Sequence, residues 1–141
     1  RRPRPDCGYA YHDSPRALAA ASDFLVVATP GGGDTRHLVD AAVLEALGPQ
    51  GYLVNIARGS VVDTEALIAA LAERRIAGAG LDVVEGEPVL PPALFALDNV
   101  VLTPHSAGRS PEAVAATVAL FLDNATAHFA GKPVLTPVPQ D

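Results

Sequence analysis

The chain has 141 residues, of which 49% are hydrophobic and 18% charged, and its formal net charge is −6. This length suits one domain with a substantial core, and the apolar content excludes an intrinsically disordered chain. Sixteen acidic against ten basic residues argue against nucleic acid as the main partner, and a single cysteine excludes an internal disulfide framework or a cysteine-based zinc site. No apolar run approaches the ~18 residues of a membrane span and no signal peptide opens the chain. We therefore expect a soluble cytoplasmic protein with no membrane partner.

The first half of the chain alternates between apolar runs and helical patterns. Residues 24–28 are apolar and are followed by a proline and glycines 31–33, which predicts a buried strand that ends in a turn. Asp40 is placed to cap a helix that ends at Gly48. Residues 52–56 are predicted to form a second strand.

The second half continues this alternation. Asp63 is placed to cap a helix with Arg74 and Arg75 in its last turn, and residues 79–83 and 99–103 are predicted to form strands. The proline-containing segment 84–98 between them is expected to be a loop or a short irregular crossover. Ser110 is placed to cap a long final helix that ends before Gly131.

Apolar strands joined mostly by helices are typical of a parallel sheet that is covered on both faces. The sequence therefore predicts a doubly wound, Rossmann-like α/β fold. Ligands of such sheets bind beyond the carboxyl ends of the strands, so the residues that follow each strand are the candidates for function.

Charged side chains lie at three of these strand ends. Arg58 follows the second strand, Asp82 ends the third with Glu87 beyond it, and His105 follows the fourth. A guanidinium, carboxylates and an imidazole can together bind an anion and move a proton. Each also has a plainer interpretation: Arg58 as a surface arginine, Glu87 as a solvated loop residue, and His105 as the cap of a strand end. Asp82 lies within an apolar run, where a carboxylate needs a partner or a ligand.

The other histidines and the cysteine carry no functional prediction. His12, His37 and His128 have no partners at ligand spacing, so we expect surface or satisfied histidines and no metal site. Cys7 lies near a terminus and is expected to be incidental.

Three segments carry a family resemblance. They are Asn55-Ile-Ala-Arg-Gly-Ser-Val-Val-Asp63, Gly80-Leu-Asp-Val-Val-Glu-Gly-Glu-Pro88 and Asn99-Val-Val-Leu-Thr-Pro-His105. In order and spacing they resemble the D-isomer-specific 2-hydroxyacid dehydrogenases, with the closest likeness to the glyoxylate/hydroxypyruvate reductase branch. The resemblance implies hydride transfer between NAD(P)H and a small 2-keto acid to give the D-2-hydroxy acid, in a homodimer.

The resemblance also implies residue roles. Arg58 would bind the substrate carboxylate, His105 would be the acid/base, and Glu87 would be its carboxylate partner. Asp82 would accept a hydrogen bond from the nicotinamide carboxamide. The remaining residues expected along the nicotinamide end of the cofactor, besides Arg58 and His105, are Thr29, Pro30, Ile56, Ala57, Ser106, Ala107 and Gly108.

The residue types suit this chemistry. A guanidinium fork binds a carboxylate in a bidentate way that lysine cannot match. A protonated imidazole can donate to the oxygen that gains negative charge during reduction, and a nearby carboxylate favours that protonated form.

The sequence departs from the family pattern at several positions. Val84 stands where the family often has Phe, and Ala107 where it has Gly; both changes could alter the nicotinamide pocket. Glycines 31–33 replace a threonine-containing loop. They either let the backbone approach the cofactor or form a flexible turn.

No Gly-x-Gly-x-x-Gly motif occurs in the sequence, and the segment before residue 24 is too short for the strand, loop and helix that carry it. We therefore expect an incomplete fold: residues 1–109 as the C-terminal part of a dinucleotide-binding domain, and residues 110–141 as a helix and tail that pack on a substrate domain or on the chain's own sheet. Arg1, Arg2 and Arg4 fall where the family contacts the adenosine ribose. They would favour NADP over NAD, unless they are simply a basic terminus.

Two other functions remain open from the sequence. One is a dehydrogenase-like scaffold of the corepressor type, which senses nucleotide and acts through protein contacts. The other is a structural fragment that is inactive alone. The catalytic residue types favour the enzyme without excluding either alternative.

Overall fold

The structure, a computed structural model, describes residue 6 and residues 8–138. Contacts divide the chain into two compact units, Arg1–His105 and Ser106–Asp141. The predicted cofactor residues Arg1, Arg2 and Arg4, and also Cys7, lie outside the described residues. The predicted domain boundary after residue 109 stays a prediction.

The first unit alternates strands and helices. Its elements are α1 (Pro15–Ala20), β1 (Phe24–Val27), α2 (Ala41–Leu47), β2 (Tyr52–Asn55), α3 (Thr64–Ala72), β3 (Gly78–Leu81), α4 (Pro92–Phe95) and β4 (Val100–Leu102), with short 3-10 helices at Gly33–Thr35 and Gly59–Val61. The second unit contains α5 (Pro111–Phe129). Among the described residues, no helix has both the length and the apolar character that a membrane crossing requires.

The four strands form one parallel sheet in the order β1-β2-β3-β4. Val27 pairs with Asn55, Asn55 with Leu81, and Leu81 with Leu102, so the carboxyl ends of the strands lie along one rim. This confirms the predicted Rossmann-like α/β fold and the predicted convergence of the segments that follow the strands.

Only one face of the sheet carries the core of the first unit. Leu25 and Leu53 are buried there with Leu44 of α2 and Leu67 of α3. The opposite face exposes Phe24, Val26, Tyr52 and Val101 by 64, 55, 43 and 67%. Of the two faces that the sequence predicts to be covered, the helices of the first unit therefore cover one. The order of the four strands never reverses, and successive right-handed crossovers in one direction place their helices on one side of the sheet.

The predicted helix caps are confirmed. The carboxylates of Asp40 and Asp63 accept hydrogen bonds from the third residue beyond each, at 3.0 and 3.1 Å, and the Ser110 hydroxyl does the same at 3.2 Å. These bonds satisfy backbone N–H groups that have no partner within the first helical turn.

The predicted end of α3 is wrong. The helix stops at Ala72, so Arg74 and Arg75 follow it instead of forming its last turn. Arg74 has a φ of 55°, and Arg75 N donates to the carbonyl of Ala70 at 2.8 Å, which reverses the chain and ends the helix.

Two short helices were not predicted. α1 begins where Ser14 caps Pro15, a sequence signal of a helix start. The one-turn α4 lies within the segment expected to be irregular.

Candidate active site

A cleft of about 880 Å³ opens at the carboxyl rim of the sheet. Its lining comes from the segments 28–32, 56–60 and 84–87, which include Arg58 and Glu87. A smaller cavity of about 260 Å³ is lined by Asp82, Glu87 and His105. Glu87 lines both spaces, so the rim brings together all four residues that were singled out at the strand ends.

The loop that carries Arg58 is fixed by Asn55 at the end of β2. Asn55 is only 1% exposed; its Nδ2 donates to the carbonyl of Arg58 at 3.1 Å and its Oδ1 accepts from Ala57 N at 3.0 Å. The amide thus bridges both sides of the turn and determines where Arg58 leaves the strand. Sequence reasoning gave Asn55 no role, although an amide that ends an apolar strand was the available signal.

Glycine 31 makes room for the stem of Arg58. A Cβ at this position would lie 2.8 Å from Cγ of Arg58, which is tighter than ordinary packing allows. This contact with Arg58 differs from the two roles considered for glycines 31–33, which were a close approach of the cofactor and a flexible turn. The Arg58 guanidinium donates from Nη1 to the carbonyl of Ala57 at 2.6 Å, and the residue is exposed at the cleft.

Glycine 59 lets two loops of the site touch. A Cβ there would overlap the carbonyl group of Val84 and the backbone nitrogen of Glu85. The contact is with backbone, which cannot move aside as a side-chain end could. The segment after β2 and the segment after β3 therefore pack directly against each other.

Glu87 connects this second segment to His105. Its Oε1 accepts from Val84 N at 3.0 Å, and its Oε2 lies 3.0 Å from Nδ1 of His105. His105 has a φ of 51°, and its backbone N donates to the carbonyl of Asp82 at 2.9 Å. The backbone thus presents the imidazole to the carboxylate, the contact that the family resemblance implied.

Asp82 is a buried carboxylate, 7% exposed, at the end of β3. The Thr103 hydroxyl donates to its Oδ1 at 2.5 Å, and this bond supplies a partner of the kind that its place in an apolar run requires.

The residues predicted to line the nicotinamide end divide between the two units. Thr29, Pro30, Ile56 and Ala57 line the larger cleft of the first unit. The predicted residues 106–108 belong to the second unit, and their role stays a prediction. No group of three metal-ligating side chains occurs within the part of the chain that the structure describes.

A second charged cluster, not anticipated from the sequence, lies beside the cleft. Glu85 accepts from Arg36 Nη1 at 2.6 Å, and its other oxygen lies 3.1 Å from Nε2 of His37. The hydrogen bond with His37 is the strongest influence on the pKa of Glu85 and lowers it; burial acts in the opposite direction, and Arg36 lowers it further. His37, expected as a surface or satisfied histidine, is half-buried and has this carboxylate as its partner.

Comparison with known proteins points to one family. Residues 3–107 match the model of the D-isomer specific 2-hydroxyacid dehydrogenase, NAD binding domain. The hydroxyphenylpyruvate reductase of Plectranthus scutellarioides is 48% identical over 98% of this chain and 44% of that protein. A glyoxylate/hydroxypyruvate reductase A of Arabidopsis thaliana is 50% identical over 96% of this chain and 43% of that protein.

A solved structure shows the same similarity. The NADPH-dependent glyoxylate/hydroxypyruvate reductase of Sinorhizobium meliloti, in complex with NADP and malonate, superposes with a TM-score of 0.91. It is 47% identical in sequence, and the match covers 97% of this chain and 43% of that one. The chain thus spans less than half the length of these relatives.

Substitution of Gly59 tests the packing between the two loops. We expect Gly59→Ala to lower the free energy of unfolding by about 1–3 kcal/mol, because the added methyl group must displace the Val84–Glu85 backbone. Gly33→Ala is the matched control, since no heavy atom lies within 4 Å of a Cβ there. Urea unfolding of both variants makes the comparison, and equal stability of the two would contradict the close contact.

Proposed function

Because the chain belongs to the D-isomer-specific 2-hydroxyacid dehydrogenases, we propose that it forms part of the cofactor domain of a keto-acid reductase. The reductase would transfer a hydride from NAD(P)H to a small 2-keto acid and give the D-2-hydroxy acid. Glyoxylate and hydroxypyruvate, named for two of the relatives, are the proposed substrates. The activity is proposed for a polypeptide of the relatives' length that contains this chain, and the chain alone is expected to be inactive.

The observation that carries this proposal is the pairing of His105 with Glu87 at the same rim as Arg58. In the proposed reaction Arg58 binds the substrate carboxylate through its guanidinium fork, which fixes the neighbouring carbonyl in one orientation. Arg58 lies exposed in the cleft, with Gly31 against its stem, and is therefore accessible to a small anion.

His105 is the proposed proton donor. With Nδ1 directed to Glu87, the nitrogen left for the substrate is Nε2. Protonated at Nε2, it donates to the carbonyl oxygen as negative charge develops there, and it holds the alcohol proton in the reverse direction. Glu87 orients the ring, because its Oε2 lies 3.0 Å from Nδ1.

The cleft fits the nicotinamide end of a dinucleotide. Thr29 Oγ1 is buried and has no partner among the described residues, so it is a polar atom that a ligand could satisfy. Asp82 is the proposed acceptor for the carboxamide, and residues 106–108 are the proposed remainder of this end. The bound cofactor supplies the hydride.

A third cavity, of about 770 Å³, shares Thr29 with the main cleft and is lined by His12, Ser14 and Asp34. We place the adenosine end there. The arginines at positions 1, 2 and 4 would hold the 2′-phosphate of NADP, in keeping with the NADPH-dependent relative.

The cellular location, the assembly and the partners are also proposed from the family. The names of the relatives support a reductase and not the nucleotide-sensing scaffold that the sequence left open. We propose a cytoplasmic homodimer whose partners are small 2-keto and 2-hydroxy acids, with no nucleic-acid or membrane partner.

Replacement of His105 tests the proposed reaction. In the full-length enzyme, His105→Ala should lower kcat/KM for glyoxylate reduction by about 10²–10⁴, the usual contribution of a positioned acid. Binding of the cofactor, measured by fluorescence titration, should change little. Near-normal turnover in the variant would remove His105 from the mechanism.

Arg58→Lys tests whether the substrate carboxylate needs the paired hydrogen bonds of a guanidinium as well as a positive charge. The lysine keeps the positive charge but cannot form the paired hydrogen bonds, so kcat/KM for both glyoxylate and hydroxypyruvate should fall strongly while the protein stays folded. Circular dichroism is the control for folding. Unchanged kinetics would make Arg58 a surface residue.

Arg1, Arg2 and Arg4 predict the choice of cofactor. If they contact the adenosine ribose, NADPH should be preferred over NADH, and joint replacement of Arg2 and Arg4 by Ala should raise KM for NADPH alone. Added salt should weaken NADPH binding more than NADH binding. Equal KM values that the double substitution leaves unchanged would remove these arginines from cofactor recognition.

A further inference from the structure

We propose that Glu85 is a positioning residue for the reaction: by pairing with Arg36 and His37, it holds the segment 84–87 so that Glu87 meets His105. The inference rests on the proposed function, and it assigns a role to a carboxylate that does not itself contact the imidazole. Three observations carry it.

The first observation is that two carboxylates within one short turn have different partners. Glu85 and Glu87 flank Gly86, whose φ of 91° is a left-handed conformation that favours glycine. Glu85 pairs with Arg36 and His37, whereas Glu87 pairs with His105. Each carboxylate therefore has its own cationic or cation-forming partner, and the backbone between them is constrained at both ends.

The second observation is that the partners of Glu85 are themselves fixed. His37 N donates to the carbonyl of Ser60 at 2.9 Å, and Val39 and Val62 form a parallel bridge two residues further along each segment. The segment that presents Arg36 and His37 is thus bonded to the segment that follows Arg58. Asp63, which caps α3, lies 3.8 Å from the other ring nitrogen of His37.

The third observation is the contact on the opposite side of the turn. The Val84–Glu85 backbone lies against Gly59, next to Arg58 in the chain. The turn is therefore held by packing at its backbone and by the ion pair at the Glu85 side chain. Without the ion pair, only the backbone packing of these two restraints would remain. Glu87 lies two residues along the chain, so its position would be less firmly held.

The charges agree with this arrangement. The lowered pKa of Glu85 means that its carboxylate is ionised near neutral pH, where the proposed reaction runs. Among the described residues, the charged groups against it are Arg36 and His37, with Asp63 beyond His37. A neutral side chain at position 85 would therefore lose the attraction to both partners.

A double-substitution cycle in the full-length enzyme tests the proposal, with glyoxylate and NADPH as probes. The variants are Glu85→Ala, Glu87→Gln and the two combined. Asp98→Asn is the matched control, because Arg74 and Asp98 form an exposed ion pair of the same 2.6 Å length away from the cleft. For each protein, kcat and the KM values for glyoxylate and NADPH are measured.

We expect Glu85→Ala to lower kcat about 3- to 30-fold, within the ~10²-fold that misplacement of a reacting group by 1 Å can cost. Glu87→Gln should lower kcat by more than Glu85→Ala, because it changes the carboxylate that itself contacts the imidazole. KM for NADPH should stay within about twofold, since the proposed cofactor contacts do not include Glu85 or Glu87. The combined variant should match Glu87→Gln alone, and Asp98→Asn should match the parent.

Additive losses in the combined variant would overturn the proposal, because Glu85 would then act independently of Glu87. It is equally overturned if Glu85→Ala behaves like Asp98→Asn while Glu87→Gln lowers kcat, and the proposed function survives that result. A full-length parent that reduces no keto acid, or a Glu87→Gln variant identical to the parent, overturns the proposed function and this inference with it. If Glu85→Ala does not fold, the isosteric Glu85→Gln replaces it in the cycle with the same expected non-additivity.

Discussion

The close approach of Gly59 to the Val84–Glu85 backbone is the contact on which the arrangement of the site depends. The parallel register brings the ends of β2 and β3 to one rim, but only a residue without a Cβ lets the two following loops touch. Arg58 lies on one side of this contact and Glu87 on the other. Arg58 and the pair of Glu87 with His105 are therefore placed relative to each other by backbone packing.

Three neighbouring carboxylates each have a different partner. Asp82 is buried against Thr103, Glu85 is paired with Arg36 and His37, and Glu87 is left for His105. Three acidic groups in so short a segment would repel one another without such partners. Their separation lets a single imidazole be oriented by one carboxylate, which is the condition for directed proton transfer in the proposed reaction.

The sequence was informative where a local rule determines structure. Apolar runs located all four strands to within two residues at each end, and Asp40, Asp63 and Ser110 were recognised as caps because side-chain capping involves residues three apart. The pairing of Glu87 with His105 was anticipated through the family resemblance. What could not be predicted depends on distant segments: the fit of Gly59 against Val84, and the pairing of Glu85 with residues 48 and 49 positions away. The reversal at Arg74 was missed because a left-handed conformation at arginine has no sequence signal.

A crystal structure of the full-length enzyme with NADP and malonate would test the proposed roles of Arg58 and His105, since malonate is a dicarboxylate analogue that cannot be reduced at a carbonyl. We expect one malonate carboxylate to pair with the Arg58 guanidinium and a further malonate oxygen to lie within about 3 Å of Nε2 of His105, the distance at which a proton donor acts. Glu87 should stay in contact with Nδ1. Malonate bound away from Arg58, or an imidazole turned out of the cleft with Glu87 unpaired, would contradict these roles.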